Sequence, residues 1–210
     1  MRGGDDGLFR GNLGRVTTYE YGATTISKRR RLPHYDVHEG LYLVTWRLHD
    51  AVPLRRLAPL LQQRDGSKAA ERRYRAAVEL LLDESHGTCV LLDAALASIV
   101  HDALAFFDGD RYSLIAWAIM PNHVHVVIRL IAEHHLDRVL HSLKSFTSQA
   151  INARLARRGS LWQSEYFDVT IRSPRHLETA TTYVISNPEK AGLRDYEWAG
   201  MNAAAYAALL

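Results

Sequence analysis

The sequence predicts an α+β protein in which one antiparallel sheet carries helices packed mainly on one face. Three observations lead there. Short apolar runs of strand length at 41–48, 112–120, 123–131 and 166–172 are interleaved with longer segments of helical periodicity. Two of these runs are separated by only Pro121 and Asn122, a gap that reads as an antiparallel pair joined by a tight turn. The order is strand, two helices, strand pair, helix, strand, helix, which one sheet with helices laid against it satisfies best.

Residues 1–38 show no sustained periodicity and read as a flexible basic N-terminal arm, so the domain itself occupies residues 39–210. The run Lys28-Arg29-Arg30-Arg31 in this arm is either a solvated patch or a grip on phosphates. The first strand, LYLVTWRL at 41–48, is rich in β-branched and aromatic residues. A helix follows over 67–83, where Ala70, Tyr74, Ala77, Val78, Leu81 and Leu82 recur at helical spacing and Gly87 marks its end. Asp93 is placed to cap the next helix, whose stripe is Leu96, Ile99, Val100, Ala103, Leu104 and Phe107, with Gly109 as its stop. After the hairpin, a helix over 136–155 turns Val139, Leu140, Leu143 and Phe146 inward. Ser173 followed by Pro174 opens the last predicted helix, which runs to about Ser186 and is expected to end at Pro188.

Composition narrows the class of protein. With 210 residues and 47% hydrophobic residues, the chain can build one sizeable core. A formal charge of +3 permits a nucleic-acid partner without requiring one. The lone Cys89 excludes an internal disulfide framework and a cysteine-based zinc site. No apolar run reaches the roughly 18 residues of a membrane span, and the glycine- and charge-rich start is not a secretory signal, so a cytoplasmic setting is expected.

Two segments carry candidate chemistry. In Met120-Pro-Asn-His-Val-His-Val-Val-Ile-Arg-Leu130, strand alternation sends Val124, Val126, Ile128 and Leu130 to one face and His123, His125, Val127 and Arg129 to the other. The imidazoles then stand about 7 Å apart, near enough to share one divalent ion. Taken alone, such a pair equally decorates a solvated strand face. On the last helix Tyr183 and Asn187 lie a turn apart on one face, with His176 two turns earlier. A tyrosine hydroxyl can attack phosphorus to give a covalent phosphotyrosine, and an amide oxygen at Asn187 can join a metal shell. The plainer reading is that Tyr183 packs at a sheet edge.

Taken together, three ordered blocks resemble the single-tyrosine HUH transposases, and within them the REP-associated tyrosine transposases. They are Ala116-Trp-Ala-Ile-Met-Pro-Asn-His-Val-His125, Leu161-Trp-Gln-Ser-Glu-Tyr-Phe-Asp168 leading to Ile171-Arg172, and Tyr183-Val-Ile-Ser-Asn-Pro-Glu-Lys-Ala-Gly-Leu193. Lys144-Ser-Phe-Thr147 and Trp198 fall where the family has similar features. The resemblance implies an RRM-like (ferredoxin-like) sheet of the HUH endonuclease type with the histidines on a central strand. It implies Mg²⁺ or Mn²⁺ on His123, His125 and Asn187, with Tyr183 as nucleophile. The implied reaction cleaves single-stranded DNA near a hairpin, leaving a 5′-phosphotyrosine and a free 3′-hydroxyl that can be rejoined without ATP. Ser186 departs from the aromatic or histidine that relatives carry before Asn-Pro, and the arm lacks a glycine-rich hairpin-recognition sequence. The family resemblance leaves monomer or homodimer open.

Between Arg138 and Arg175 basic residues outnumber acidic ones, and Lys144, Arg157, Arg158 and Arg172 are the candidate phosphate contacts, with Trp162 available to stack on bases. Phe167 alternates with Val169 and Ile171 and reads as packed. Two other functions stay open. One is a hairpin-binding module that no longer cuts, and the other is a His-x-His hydrolase with water as nucleophile. The second is disfavoured because no carboxylate near the histidines offers a general base.

Overall fold

The structure, a computed structural model, describes residues 18–19, 24–29 and 32–210. Its centre is a five-stranded sheet built from β3 (Leu41–Arg47), β4 (Tyr112–Ile119), β5 (His123–Leu130), β6 (Phe167–Thr170) and β7 (Ala199–Met201). The strand order is β6-β3-β5-β4-β7, and every neighbouring pair is antiparallel. The α+β antiparallel architecture expected from the sequence is therefore the observed one, and the histidine strand β5 is its middle strand. Two further strands, β1 (Thr24–Arg29) and β2 (Leu32–Val37), pair only with each other. This hairpin falls inside the expected arm; apart from Thr18 and Tyr19, the rest of residues 1–23 lies outside the described residues.

Strand alternation divides the interior into two apolar clusters. Tyr42, Val44 and Trp46 of β3 join Val124, Val126, Ile128 and Leu130 of β5 in the larger one. That cluster is covered by α1 (Leu54–Gln62), α2 (Lys68–Asp83), α3 (Ala94–Phe106) and α4 (Leu136–Arg154). The opposite sheet face presents Leu41, Ala116, Ala118 and Val127, and meets Leu177, Ala180 and Val184 of α5 (Pro174–Lys190). Ala116 and Ala118 sit beside Val127 and His125 in the register, so their small side chains let α5 approach the histidines. A short helix, α6 (Ala203–Ala207), adds Ala205 and Tyr206 to this smaller cluster.

Three predicted helix starts hold in detail. The Ser67 hydroxyl accepts from Ala70 N–H, the Asp93 carboxylate from Ala95 N–H and the Ser173 hydroxyl from His176 N–H. The structure corrects other expectations. Helix α5 does not end at Pro188 but runs through it to Lys190. Its stop is Gly192, at φ +78°, where Leu193 N–H bonds Pro188 O and Gly192 N–H bonds Glu189 O. That paired pattern closes the last turn in the left-handed glycine conformation, while Pro188 forfeits only its own donor. Phe146 is 57% exposed rather than inward, and Thr147 takes its place in the buried stripe. The Thr147 hydroxyl donates to Leu143 O at 2.7 Å and accepts from the Trp162 indole at 2.9 Å, so a small polar residue suits the position better than a phenyl ring. Thr147→Val leaves that indole N–H buried and unpaired, and is expected to lower stability by about 1–3 kcal/mol, read from the urea midpoint. Helix α1 went unseen because Pro59 lies inside it and only Leu57 is buried. The strand β7 is three residues long, too short for a pattern.

Candidate active site

The two imidazoles stand on the face of β5 that α5 covers, both 1% exposed. Their Nε2 atoms converge to 2.9 Å and the rings cross at 82°, with centroids 4.6 Å apart. The sequence spacing of about 7 Å is thus closed by rotation of the rings toward each other. Each ring is held from behind through Nδ1. The His123 Nδ1 lies 2.7 Å from Asn122 Oδ1, and the Asn122 amide nitrogen donates to His86 O at 2.9 Å. This orients Asn122 so that its oxygen, which only accepts, faces the ring. His123 therefore carries its proton on Nδ1, and its Nε2 offers a lone pair. The His125 Nδ1 lies 2.7 Å from the Thr45 hydroxyl, which either donates or accepts. When it donates, His125 Nε2–H bonds the His123 lone pair; when it accepts, both Nε2 lone pairs point at one spot.

Burial holds both rings neutral. It is the main cause for His123, whose pKa lies well below the ordinary value, with His125 pushing the same way and Asn187 opposing. Burial alone lowers His125 to about 3. A neutral imidazole is the form that donates to a metal.

Helix α5 brings Tyr183 and Asn187 over this pair, as the four-residue spacing requires. The Tyr183 ring packs edge-on against His125 with centroids 5.2 Å apart. Asn187 is 1% exposed and its amide bears on both His123 and the Tyr183 hydroxyl. Its Oδ1 nevertheless has no aligned hydrogen-bond partner. A buried amide oxygen without a partner, beside two convergent imidazole nitrogens, is a donor set that fits Mg²⁺ or Mn²⁺. Among the described residues no group of three His, Cys, Asp or Glu gathers anywhere, so the protein would supply two nitrogens and this one amide oxygen. His176 stands on α5 with its pKa lowered by burial and by Arg172.

A feature unread in the sequence completes the site. Helix α2 lies along β6, with Tyr74 edge-on to Phe167 and the Arg75 guanidinium donating to Asp168 O. From there Glu79 and, one turn later, Asp83 stand close enough to the Tyr183 hydroxyl to act on it electrostatically. The Lys190 ammonium lies 5.3 Å from the Tyr183 ring centroid and favours the ionised form of Asp83. Burial first, then Glu79 and Asp83, push the Tyr183 hydroxyl far above the ordinary tyrosine range. The sequence did hold one signal: Glu79 and Asp83, four apart, share a face of an otherwise well-patterned helix.

Arg47 is also new. It pairs in register with His123 and is 7% exposed, and burial lowers its pKa.

The expected DNA contacts are divided. Lys144 donates to Gln163 O and Ser164 O, pinning the segment before β6 beside a groove of about 450 Å³ lined by His141, Lys144, Ser148 and Tyr166. Arg157 donates to Ser160 O, while Arg158 and Arg172 are exposed. Trp162 is no stacking platform in this structure. It is 4% exposed, edge-on to Trp46 and bonded to Thr147.

Because Asn122 sets which His123 nitrogen is free, Asn122→Ala is expected to weaken Mn²⁺ binding about 10- to 100-fold with the fold retained. Titration followed by the Mn²⁺ electron paramagnetic resonance signal reads this. An unchanged affinity would show that the tautomer is set elsewhere.

With a five-stranded antiparallel sheet, paired histidines on its middle strand and a tyrosine helix across them, the chain is similar to two kinds of known protein. Residues 94–187 match the family model described as IS200-like transposase, a stretch holding His123, His125, Tyr183 and Asn187. That match spans less than half of the chain and marks a similarity to the IS200-like transposases. More particularly, the fold matches that of a REP-associated tyrosine transposase solved bound to a REP hairpin. The TM-score is 0.50 at 16% identity, over 82% of this chain and 81% of that one. No curated protein matches. No helix among the described residues is long and apolar enough to cross a membrane.

Proposed function

We propose that this chain cuts single-stranded DNA beside a hairpin and rejoins it, with Tyr183 as the nucleophile. The observation that carries this reading is the meeting of Tyr183 with the histidine pair, the phenol ring against His125 and Asn187 bearing on both Tyr183 and His123. The hairpin substrate is taken from the solved neighbour, whose bound DNA is a REP hairpin.

In this reading residues 39–210 form the catalytic domain and residues 1–38 an arm that meets DNA. His123, His125 and Asn187 would hold Mg²⁺ or Mn²⁺, which when bound would polarise the phosphate and offset charge on its oxygens. The chain's own groups do the rest. The Tyr183 oxygen attacks phosphorus and the 3′-oxygen leaves, giving a 5′-phosphotyrosine and a 3′-hydroxyl. The phosphoester energy is kept in the protein–DNA bond, so rejoining needs no nucleotide. Asn122 and Thr45 fix the imidazoles from behind. Arg158 and Arg172 contribute exposed charge for the DNA backbone, with Arg157 and Lys144 nearby.

The test is direct. Hairpin oligonucleotides carrying a label on the downstream strand are incubated with the protein and Mn²⁺, then run on a denaturing gel. A labelled band at the mass of protein plus DNA is expected. Tight hairpin binding with no covalent band on any hairpin tried would select a binding module instead.

A further inference from the structure

Arg47 is a cation that the fold buries beside the histidines and leaves without a counter-ion. On β3 it alternates with Trp46, so it shares with Thr45 the sheet face that carries His123 and His125. Its Cα partner on β5 is His123 itself. The backbone there is pinned on both sides. Gln163 N–H donates to Arg47 O at 2.9 Å, and Leu48 N–H donates to Asn122 O at 2.8 Å. The side chain is 7% exposed and lines a cavity of about 80 Å³ with Thr45, Arg64, Tyr74 and Glu165. Among the described residues the guanidinium makes no hydrogen bond and no ion pair, so its five N–H donors stand unused. The other charges of the cavity are engaged elsewhere: Arg64 pairs with Glu71, and Glu165 acts on Tyr74 rather than on Arg47.

A buried cation without a partner is costly, so a ligand that brings the missing negative charge gains where the protein alone loses. The guanidinium fork matches the paired oxygens of a phosphate. Size points the same way, because a single benzene ring fills a cavity of about 150 Å³ and a nucleobase is larger still. Neighbouring strands of a sheet stand about 4.8 Å apart, so a DNA strand laid on the histidines of β5 brings a phosphate over β3. We propose that Arg47 binds a backbone phosphate of that DNA strand in this cavity and thereby fixes the strand's position on the histidine pair. This rests on the reading in which single-stranded DNA lies on His123 and His125.

The full chain is titrated, in EDTA and at several salt concentrations, with a hairpin carrying single-stranded flanks, and binding is followed by fluorescence anisotropy. Arg47→Gln is expected to lower the slope of log affinity against log salt by about 0.7, the value for one single-strand phosphate. Arg47→Lys, which keeps the charge, is expected to keep the slope. Neutral methylphosphonate linkages are then placed one at a time in the flanks. At one linkage the wild type is expected to lose about 10- to 100-fold in affinity, and Arg47→Gln to lose nothing further. Without DNA, the urea midpoint of Arg47→Gln is expected to equal or exceed that of wild type, because a buried charge has been removed. An unchanged slope in Arg47→Gln, or no linkage at which the two proteins differ, would overturn the proposal and leave Tyr183 as the nucleophile. So would a lowered midpoint with affinity lost alike at every linkage, the mark of a packing role. A wild type that binds no hairpin would bring down the DNA reading and this one with it.

Discussion

Tyr183→Phe is expected to remove the covalent protein–DNA band entirely while leaving hairpin affinity and thermal stability close to wild type. The substitution deletes one oxygen. The ring keeps its edge-on packing against His125 and its place on α5, so the metal donors and the smaller apolar cluster are undisturbed. What disappears is the atom that, in the proposed reaction, forms the bond to phosphorus, and no second tyrosine among the described residues stands against the histidine pair to replace it. The gel separates the readings cleanly. Cleavage that persists in Tyr183→Phe and yields a free 5′-phosphate would mean that water attacks and that the site is a hydrolase. The expected small change in stability follows from the hydroxyl's position: a largely buried polar group beside two carboxylates is removed, and with it the cost of burying it.

The metal-free protein is expected to lose on the order of 3–4 kcal/mol of folding stability between pH 7 and pH 5. The sign follows from the imidazoles. Both His123 and His125 have pKa values below the ordinary 6.5, His125 at about 3. In the unfolded chain each takes up a proton as the pH falls through about 6.5, whereas the folded chain keeps them neutral. The unfolded state then binds more protons, so stability is complete above that pH and drains away below it. From 6.5 to 5 is 1.5 pH units, worth about 2 kcal/mol for each ring. Glu79 and Asp83, raised by burial, act in the opposite sense and trim the total. Denaturant midpoints in EDTA at pH 7, 6 and 5 read the slope. A level profile would mean that the folded protein protonates its histidines, which would unfit them as donors at that pH.

Much of this fold lay open in the sequence because its signals were local. The Pro121-Asn122 gap, the alternation about His123 and His125, and the caps at Ser67, Asp93 and Ser173 each depend on residues a few positions apart. The same holds for Tyr183 and Asn187, joined by a single helical turn. Glu79 and Arg47 were not legible because their roles come from tertiary placement. Glu79 comes near Tyr183 across 104 positions of chain, once α2 has settled along β6. Arg47 neighbours His123 only after β3 and β5 pair. Trp162 shows the converse error. Its surroundings in the sequence are basic and polar, yet the indole finds Trp46 and Thr147 and goes inside. The end of α5 was misplaced because a proline near the last turn costs one bond, while a glycine two residues past the helix closes the chain more firmly.

The sheet also parts the molecule's duties. Among the described residues, four helices rest on one side of it, and the helix bearing Tyr183 rests on the other with short α6. Arg175, Glu178, Thr179 and Thr182 of that helix face outward. Mutations can accumulate there without touching the larger apolar mass that keeps the chain folded. The outer surface of the tyrosine helix and foldedness are thereby free to evolve at different rates.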